Sequence, residues 1–257
     1  MWSPIIVETL EPNRNYLELL STGKIPAIII RNFYDKDSCN TIVNRIENSL
    51  LIIRNNKKFK DIGSFLMSYI TKRKEYFDDA MKNQKLFAKL LGDLKTTDKI
   101  RQSVKKLFYV NSVTLASDSE KYYSPCMIRV YKKGRKIPIH KDNVKFEGKE
   151  YNIADIDYQL SCVLHLQESE SGGDLIIYKK QWERENERFR NIEFGYSSEV
   201  IKSSDFCVIS NLNVGDLAII NPNYYHKVTE IKGDTQRITL SMFLGIYEDE
   251  RKIVTWA

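Results

Sequence analysis

The spacing of apolar residues changes character about half way along the chain. Before residue 120 apolar positions recur every three or four residues among Lys and Asp, over Asp35 to Leu50 and again over Phe65 to Phe108, which predicts helices. One β-branched run, Ile28 to Ile30, stands among them as a short strand. From Met127 onward the period becomes two. Gly134, Gly148, Gly172-Gly173, Gly215-Asp216 and Gly233-Asp234 then separate candidate strands near 126–131, 136–142, 158–166, 173–178, 205–210, 216–220, 225–230 and 236–244. That pattern predicts an α+β chain with a double-sheet jelly roll or barrel of about eight strands in 121–257 and a mainly helical support in 1–120. The segment Lys179 to Arg190 reads as a charged helical insert over the barrel mouth, and the loop from Asn143 to Asp157 reads as a second lid.

Length and charge narrow the picture. A chain of 257 residues, 42% apolar and 29% charged, buries a large core and fits one domain over 1–257. Its 40 basic and 34 acidic residues leave a formal charge of +6, but the two signs are interspersed, as in Glu183 to Arg190, so no nucleic-acid partner is expected. Cys39, Cys126, Cys162 and Cys207 are too far apart for zinc or redox pairs, which points to reduced thiols. Residues 1 to 12 lack a basic leader with an apolar run, and no stretch is apolar enough to span a bilayer, so a soluble, cytoplasmic protein without a membrane partner is expected.

Chemistry enters through the histidines, of which there are only three. His140-Lys141-Asp142 puts an imidazole and a carboxylate two places apart, on one face of an extended strand, where both can reach one ion. Alone this is weak, because an acid falls two places after one of three histidines by chance about one time in three. His226, behind the apolar run Leu217 to Ile220 and Pro222, supplies a second imidazole. Two imidazoles and a carboxylate cover one face of an iron(II) octahedron and leave the other positions open. Further on, Arg237, Thr239 and Ser241 share a strand face on which a guanidinium backed by hydroxyls can grip a carboxylate. Arg129 and Tyr131 alternate on an inward face. Arg129 has open readings as a contact to a bound anion, such as a carboxylate, or as a structural salt bridge. Phe146, Tyr151 and Trp182, on the two lids, read as walls of the substrate site or as core.

Taken in order, Tyr131 to Gly134, His140 to Asp142, Gly172 to Leu175, Gly215-Asp216, His226 and Arg237 resemble the 2-oxoglutarate/Fe(II) oxygenase superfamily, nearest its prolyl-hydroxylase-like branch, over about residues 125 to 245. The resemblance implies a double-stranded β-helix core, with Fe(II) held by His140, Asp142 and His226 and with 2-oxoglutarate and dioxygen as cosubstrates. It places the C5 carboxylate of 2-oxoglutarate on Arg237, with Tyr131 as a cosubstrate contact. His165 falls where such proteins often have a tyrosine on the same carboxylate, and Thr239 reads either as a further contact or as a plain strand residue.

The implied activity is hydroxylation of an unactivated C–H of a small molecule, a free amino acid or a specialised metabolite, with succinate and CO2 as coproducts. Peptidyl hydroxylation, or desaturation, epoxidation and cyclisation by the same chemistry, are the alternatives. The nucleic-acid demethylase branch fits poorly, since Phe243 stands six places after Arg237 where that branch has a second arginine. A metal-free binding protein is disfavoured by the intact ligand set. The ending around Ser241 to Gly245 and Val254 to Ala257, with the Trp182 insert, is similar to stand-alone tailoring oxygenases, including indole-alkaloid halogenases. Halogenases of the superfamily resemble this pattern except for Gly or Ala in place of the carboxylate, so Asp142 implies an oxygenated product.

Overall fold

The computed structural model describes residues 2–52, 60–192 and 195–257. In chain order the elements that build the site and its support are β1 (Ile5–Val7), α1 (Asn15–Ser21), β2 (Ala27–Ile30), α2 (Lys36–Ile52), β3 (Lys60–Ile62), α3 (Arg73–Leu91), α4 (Thr96–Phe108), β4 (Ser112–Leu115), β5 (Met127–Tyr131), β6 (Ile137–His140), α5 (Val144–Glu147), β7 (Tyr158–Gln167), β8 (Leu175–Gln181), β9 (Phe206–Ile209), β10 (Leu217–Ile220), β11 (Tyr224–Val228), β12 (Arg237–Tyr247) and β13 (Lys252–Trp256).

Two sheets carry the site. The larger has nine strands, in the order β1-β2-β10-β7-β12-β13-β4, with β5 paired to β12 and β3 to β5. The smaller has four, in the order β9-β8-β11-β6. The period of two decides what each strand does. On β7, Leu160, Cys162, Leu164 and Leu166 join a core shared with Ile42, Ile46, Leu90, Ile100, Val104 and Leu107 of α2, α3 and α4. The alternate residues Ser161, Val163 and His165 line a cavity instead. The same division runs along β12, where Ile238, Leu240 and Leu244 face the helices and Arg237, Thr239, Ser241 and Phe243 line the cavity. Each buried Leu or Ile stabilises its face by about 1.5–3 kcal/mol. A one-residue slip would drive those side chains into the cavity and the polar set into the core, so the apolar face fixes the register of the site.

Several expectations need revision. The helical stretch from Phe65 to Phe108 is three pieces: a 3-10 turn at Leu66–Tyr69, then α3, then α4. The break falls at Lys95, whose φ of +48° lies in the left-handed region that ends helices. The predicted insert from Lys179 to Arg190 is not a helix: its first residues complete β8, and only Arg184–Phe189 turns, as a 3-10 helix. The loop from Asn143 to Asp157 is anchored, with Val144, Tyr151, Ile153 and Ile156 packed into a core cluster with Tyr76, Phe77, Tyr123 and Trp256 while Glu147 lines the cavity. Strands β1, β3, β4 and β13 lie outside the expected set. Among the described residues no helix is long and apolar enough to cross a membrane, and the four cysteines are free and buried.

Candidate metal and cosubstrate site

Strand pairing in the smaller sheet brings the histidines together. His226 on β11 lies directly opposite His140 at the end of β6, and their rings sit 4.1 Å apart between centroids. Asp142 follows two residues after His140, its backbone N–H donating to Pro222 O at 2.9 Å, and its carboxylate Oδ2 lies 3.8 Å from His226 Nε2. Each histidine is oriented in the same way: Nδ1 contacts the carbonyl two residues back along its own strand, Pro138 O for His140 and Tyr224 O for His226, both at 2.9 Å. A carbonyl can only accept, so Nδ1 carries the proton and Nε2 is left as a lone pair.

The chemistry of this donor set suits a divalent ion. One ligand atom from each of His140, Asp142 and His226 lies within 4.8 Å of the others, against about 3 Å for neighbouring ligands each roughly 2.1 Å from a metal. Burial pushes both imidazoles down to about 4, so they are neutral at pH 7, as ligation requires. Burial also raises the Asp142 carboxyl, with His226 opposing the shift; a bound cation reverses such a shift by stabilising the carboxylate.

These three residues lie on the wall of a cavity of about 370 Å³ whose opposite wall is the larger sheet. There Arg237 faces Tyr131, and Thr239 stands between Arg129 on one side and His165 on the other. All five line the cavity. The stem of Arg237 has room because residue 173 is Gly: its φ is +77°, and a Cβ there would come within 2.9 Å of Arg237 Cδ. Arg129 donates to Ser241 Oγ at 2.6 Å and stacks over Phe65 at 5.2 Å. It makes no ion pair among the described residues, so the salt-bridge reading of Arg129 is set aside.

A residue absent from the sequence reading contacts two residues of the distal wall. Glu168 contacts His165 Nδ1 through Oε1 and lies 3.5 Å from Arg237 Nε through Oε2. Nothing in the strand pattern marks it, because it lies just past the last residue of β7. The other missed group closes the metal side. Lys141, between His140 and Asp142 in sequence, is buried; its Nζ lies 2.8 Å from Glu147, 5.1 Å from the Phe146 ring and 4.5 Å from the Trp182 ring. Arg190 reaches the same Glu147 at 3.0 Å, and Arg190 and Tyr196 line the cavity.

The aromatic walls expected from sequence are elsewhere. Phe146 and Trp182 pack against each other with centroids 4.5 Å apart and rings tilted by 45°, and shield Lys141 rather than line the cavity. Tyr151 is core: its hydroxyl donates to Tyr69 O at 2.7 Å. The cavity's aromatic residues include Phe65 and Phe243 instead. Sequence alone ranks all of these equally, since an aromatic residue on a core face and one on a cavity face have the same local pattern.

A family model described as carrier-protein-independent halogenase WelO5 matches residues 1–257. No curated protein matches the chain. Among solved structures it is similar to an N-substituted L-amino acid dioxygenase from Burkholderia ambifaria AMMD, at TM-score 0.62 and 12% identity over 96% of this chain and 92% of that one. It is also similar to the non-heme alpha ketoglutarate dependent epimerase SnoN from nogalamycin biosynthesis, at 0.54 and 10% over 91% and 85%. HygX from Streptomyces hygroscopicus, with nickel and 2-oxoglutarate bound, is similar at 0.53 and 12% over 91% and 87%. At such identities the likeness is one of fold.

Proposed function

The chain belongs to the carrier-protein-independent halogenase family WelO5 and is a 2-oxoglutarate-dependent non-haem iron enzyme, and from that premise we propose that it oxygenates a small molecule rather than halogenating it. The observation that carries this reading is Asp142: its carboxylate stands with the two imidazoles, within 4.8 Å, at the position where the halogenase pattern has Gly or Ala. A carboxylate there takes up the metal position that a halide would need.

On this reading His140, Asp142 and His226 hold iron(II). The Pro138 and Tyr224 carbonyls fix the imidazole tautomers so that Nε2 faces the ion. When bound, iron and 2-oxoglutarate together activate dioxygen and give succinate and CO2 as coproducts. Arg237 pairs with the distal C5 carboxylate, His165, Thr239 and Tyr131 bound the same end, and Arg129 serves the cosubstrate's C1 carboxylate or a substrate anion. The Lys141, Glu147 and Arg190 cluster keeps water from one side of the reacting centre. We read the strands β5 to β12 as one jelly-roll core supported by the N-terminal helices, in a single cytoplasmic domain over 1–257. A cavity of about 370 Å³ suits 2-oxoglutarate beside a small molecule such as a free amino acid or a specialised metabolite, and not an extended polypeptide.

The test is a screen of metabolite pools for compounds that stimulate succinate formation, followed by mass spectrometry of the product in chloride and in bromide. A gain of one oxygen irrespective of halide is the expected result, and a loss of two hydrogens would point to the desaturation or cyclisation alternative. A halide-dependent mass shift would overturn the oxygenase reading.

A further inference from the structure

Glu168 sits where a bend in its own strand puts it. Along β7 and β12 the register places Gln167 opposite Ile238 and His165 opposite Thr239, so Leu166 is the extra residue of a bulge. Bulges bend a strand and re-aim the side chains beyond them. Here Glu168 turns back to reach both the imidazole three residues earlier and the guanidinium of Arg237. His165 and Arg237 are 2% and 4% exposed and the Glu168 side chain 22%, so the three groups meet in a largely enclosed place.

Their sum is wrong for an anion. At the distal end itself Arg237 and Glu168 cancel, Arg129 lying beyond Thr239, so a carboxylate buried beside them meets no net positive charge there, which is costly away from water. A neutral His165 does not help: with Nδ1–H directed to Glu168, its Nε2 can only accept, as a carboxylate does. Protonation removes both defects. The imidazolium donates from Nδ1 to Glu168 and from Nε2 to the arriving carboxylate, and the site carries one net positive charge against one negative.

We propose that Glu168 is a positioning residue that holds His165 as an imidazolium when 2-oxoglutarate binds, so that cosubstrate binding draws one proton into the site. The proposal rests on the reading that the distal carboxylate lies at Arg237. The groups around His165 are Glu168 from just beyond its own strand, Arg237 and Thr239 from β12, and Asp216, whose backbone O accepts from His165 N and whose carboxylate is paired with Arg31 at 2.5 Å. Burial lowers the imidazole from its usual range, against the pull of Glu168. The carboxylate of the cosubstrate adds a second anion on its Nε2 side, and the proton arrives with it.

The experiment is calorimetric titration of 2-oxoglutarate into the full chain loaded with nickel(II), at pH about 7.5, in two buffers of different ionisation enthalpy. The difference in heat counts protons. About one proton taken up per cosubstrate is expected, with Kd rising as pH rises, toward tenfold per unit. In Glu168→Gln, Arg237 alone balances the carboxylate, so binding persists while the uptake falls to about zero and the pH dependence flattens. His165→Gln also loses the uptake and binds more weakly. Binding by the wild type without proton uptake would overturn the proposal, and so would undiminished uptake in either variant. If the nickel-loaded wild type bound no 2-oxoglutarate at all, the failure would lie in the reading of the site beneath it, and the proposal would fall with it.

Discussion

At one end of the cavity two imidazoles are held by the backbone of their own strands; at the other an imidazole and a guanidinium meet through a side chain, Glu168. The backbone contacts are local, carbonyl to residue i+2, and arise from strand geometry alone. The distal contacts need a bulge, a glycine at 173 and a residue beyond the strand end. The difference teaches that the metal end is oriented by local backbone contacts, whereas the distal end depends on side chains brought together from separate segments.

Removing a ligand breaks the metal end outright. His226→Ala is expected to reduce 2-oxoglutarate turnover by well over about hundredfold, since loss of even an outer partner of a metal ligand costs about 10–100-fold; succinate formation measures it, with the circular dichroism spectrum unchanged. The distal end responds by degree. Arg237→Ala removes the guanidinium and leaves one carboxylate at the distal end unpaired, a loss of about 2–5 kcal/mol. The KM for 2-oxoglutarate should then rise by about thirtyfold or more, as initial rates over a range of 2-oxoglutarate will show. If only the constant for the prime substrate moved, Arg237 would belong to substrate binding.

What the sequence makes legible divides along the same line. His140, Asp142 and His226 can be found because strand periodicity turns spacing into a shared face and because histidines are scarce. The strands β5 to β12 are readable from alternation punctuated by glycines. Glu168 is not, because a bulge suspends the period of two at the point where it would be needed. Phe146, Tyr151 and Trp182 read equally well as cavity walls, but burial against Lys141 or the tyrosine cluster is decided by packing that no local pattern records. The helical first half hides β3 and β4, which are short and take their stability from neighbours distant in sequence.

Acidification sharpens the contrast in the metal-free protein. An unfolded chain protonates its histidines near 6.5, whereas burial holds His140 and His226 down to about 4. Between these values the unfolded state binds more protons, so the stability present above pH about 6.5 is lost as pH falls toward 4. A drop in Tm of about 5 °C or more across that window is expected by differential scanning calorimetry. Saturating zinc(II) at the upper end of the window should raise Tm. The smallest effect belongs to a residue assigned to neither end: Tyr151→Phe loses the hydrogen bond to Tyr69 O and should cost about 1 kcal/mol of stability. Its KM for 2-oxoglutarate should stay within about twofold of the wild type, and a larger change would return Tyr151 to the cavity.

That iron(II) and 2-oxoglutarate share one site, the cosubstrate reaching from the His140, Asp142 and His226 end to Arg237, is tested most directly by anaerobic titration monitored by visible absorption. The account predicts a charge-transfer band only when iron(II) and 2-oxoglutarate are both present, lost in His226→Ala and shifted to higher 2-oxoglutarate concentration in Arg237→Ala. Absence of the band in the wild type with both added, or its survival unchanged in His226→Ala, would contradict it.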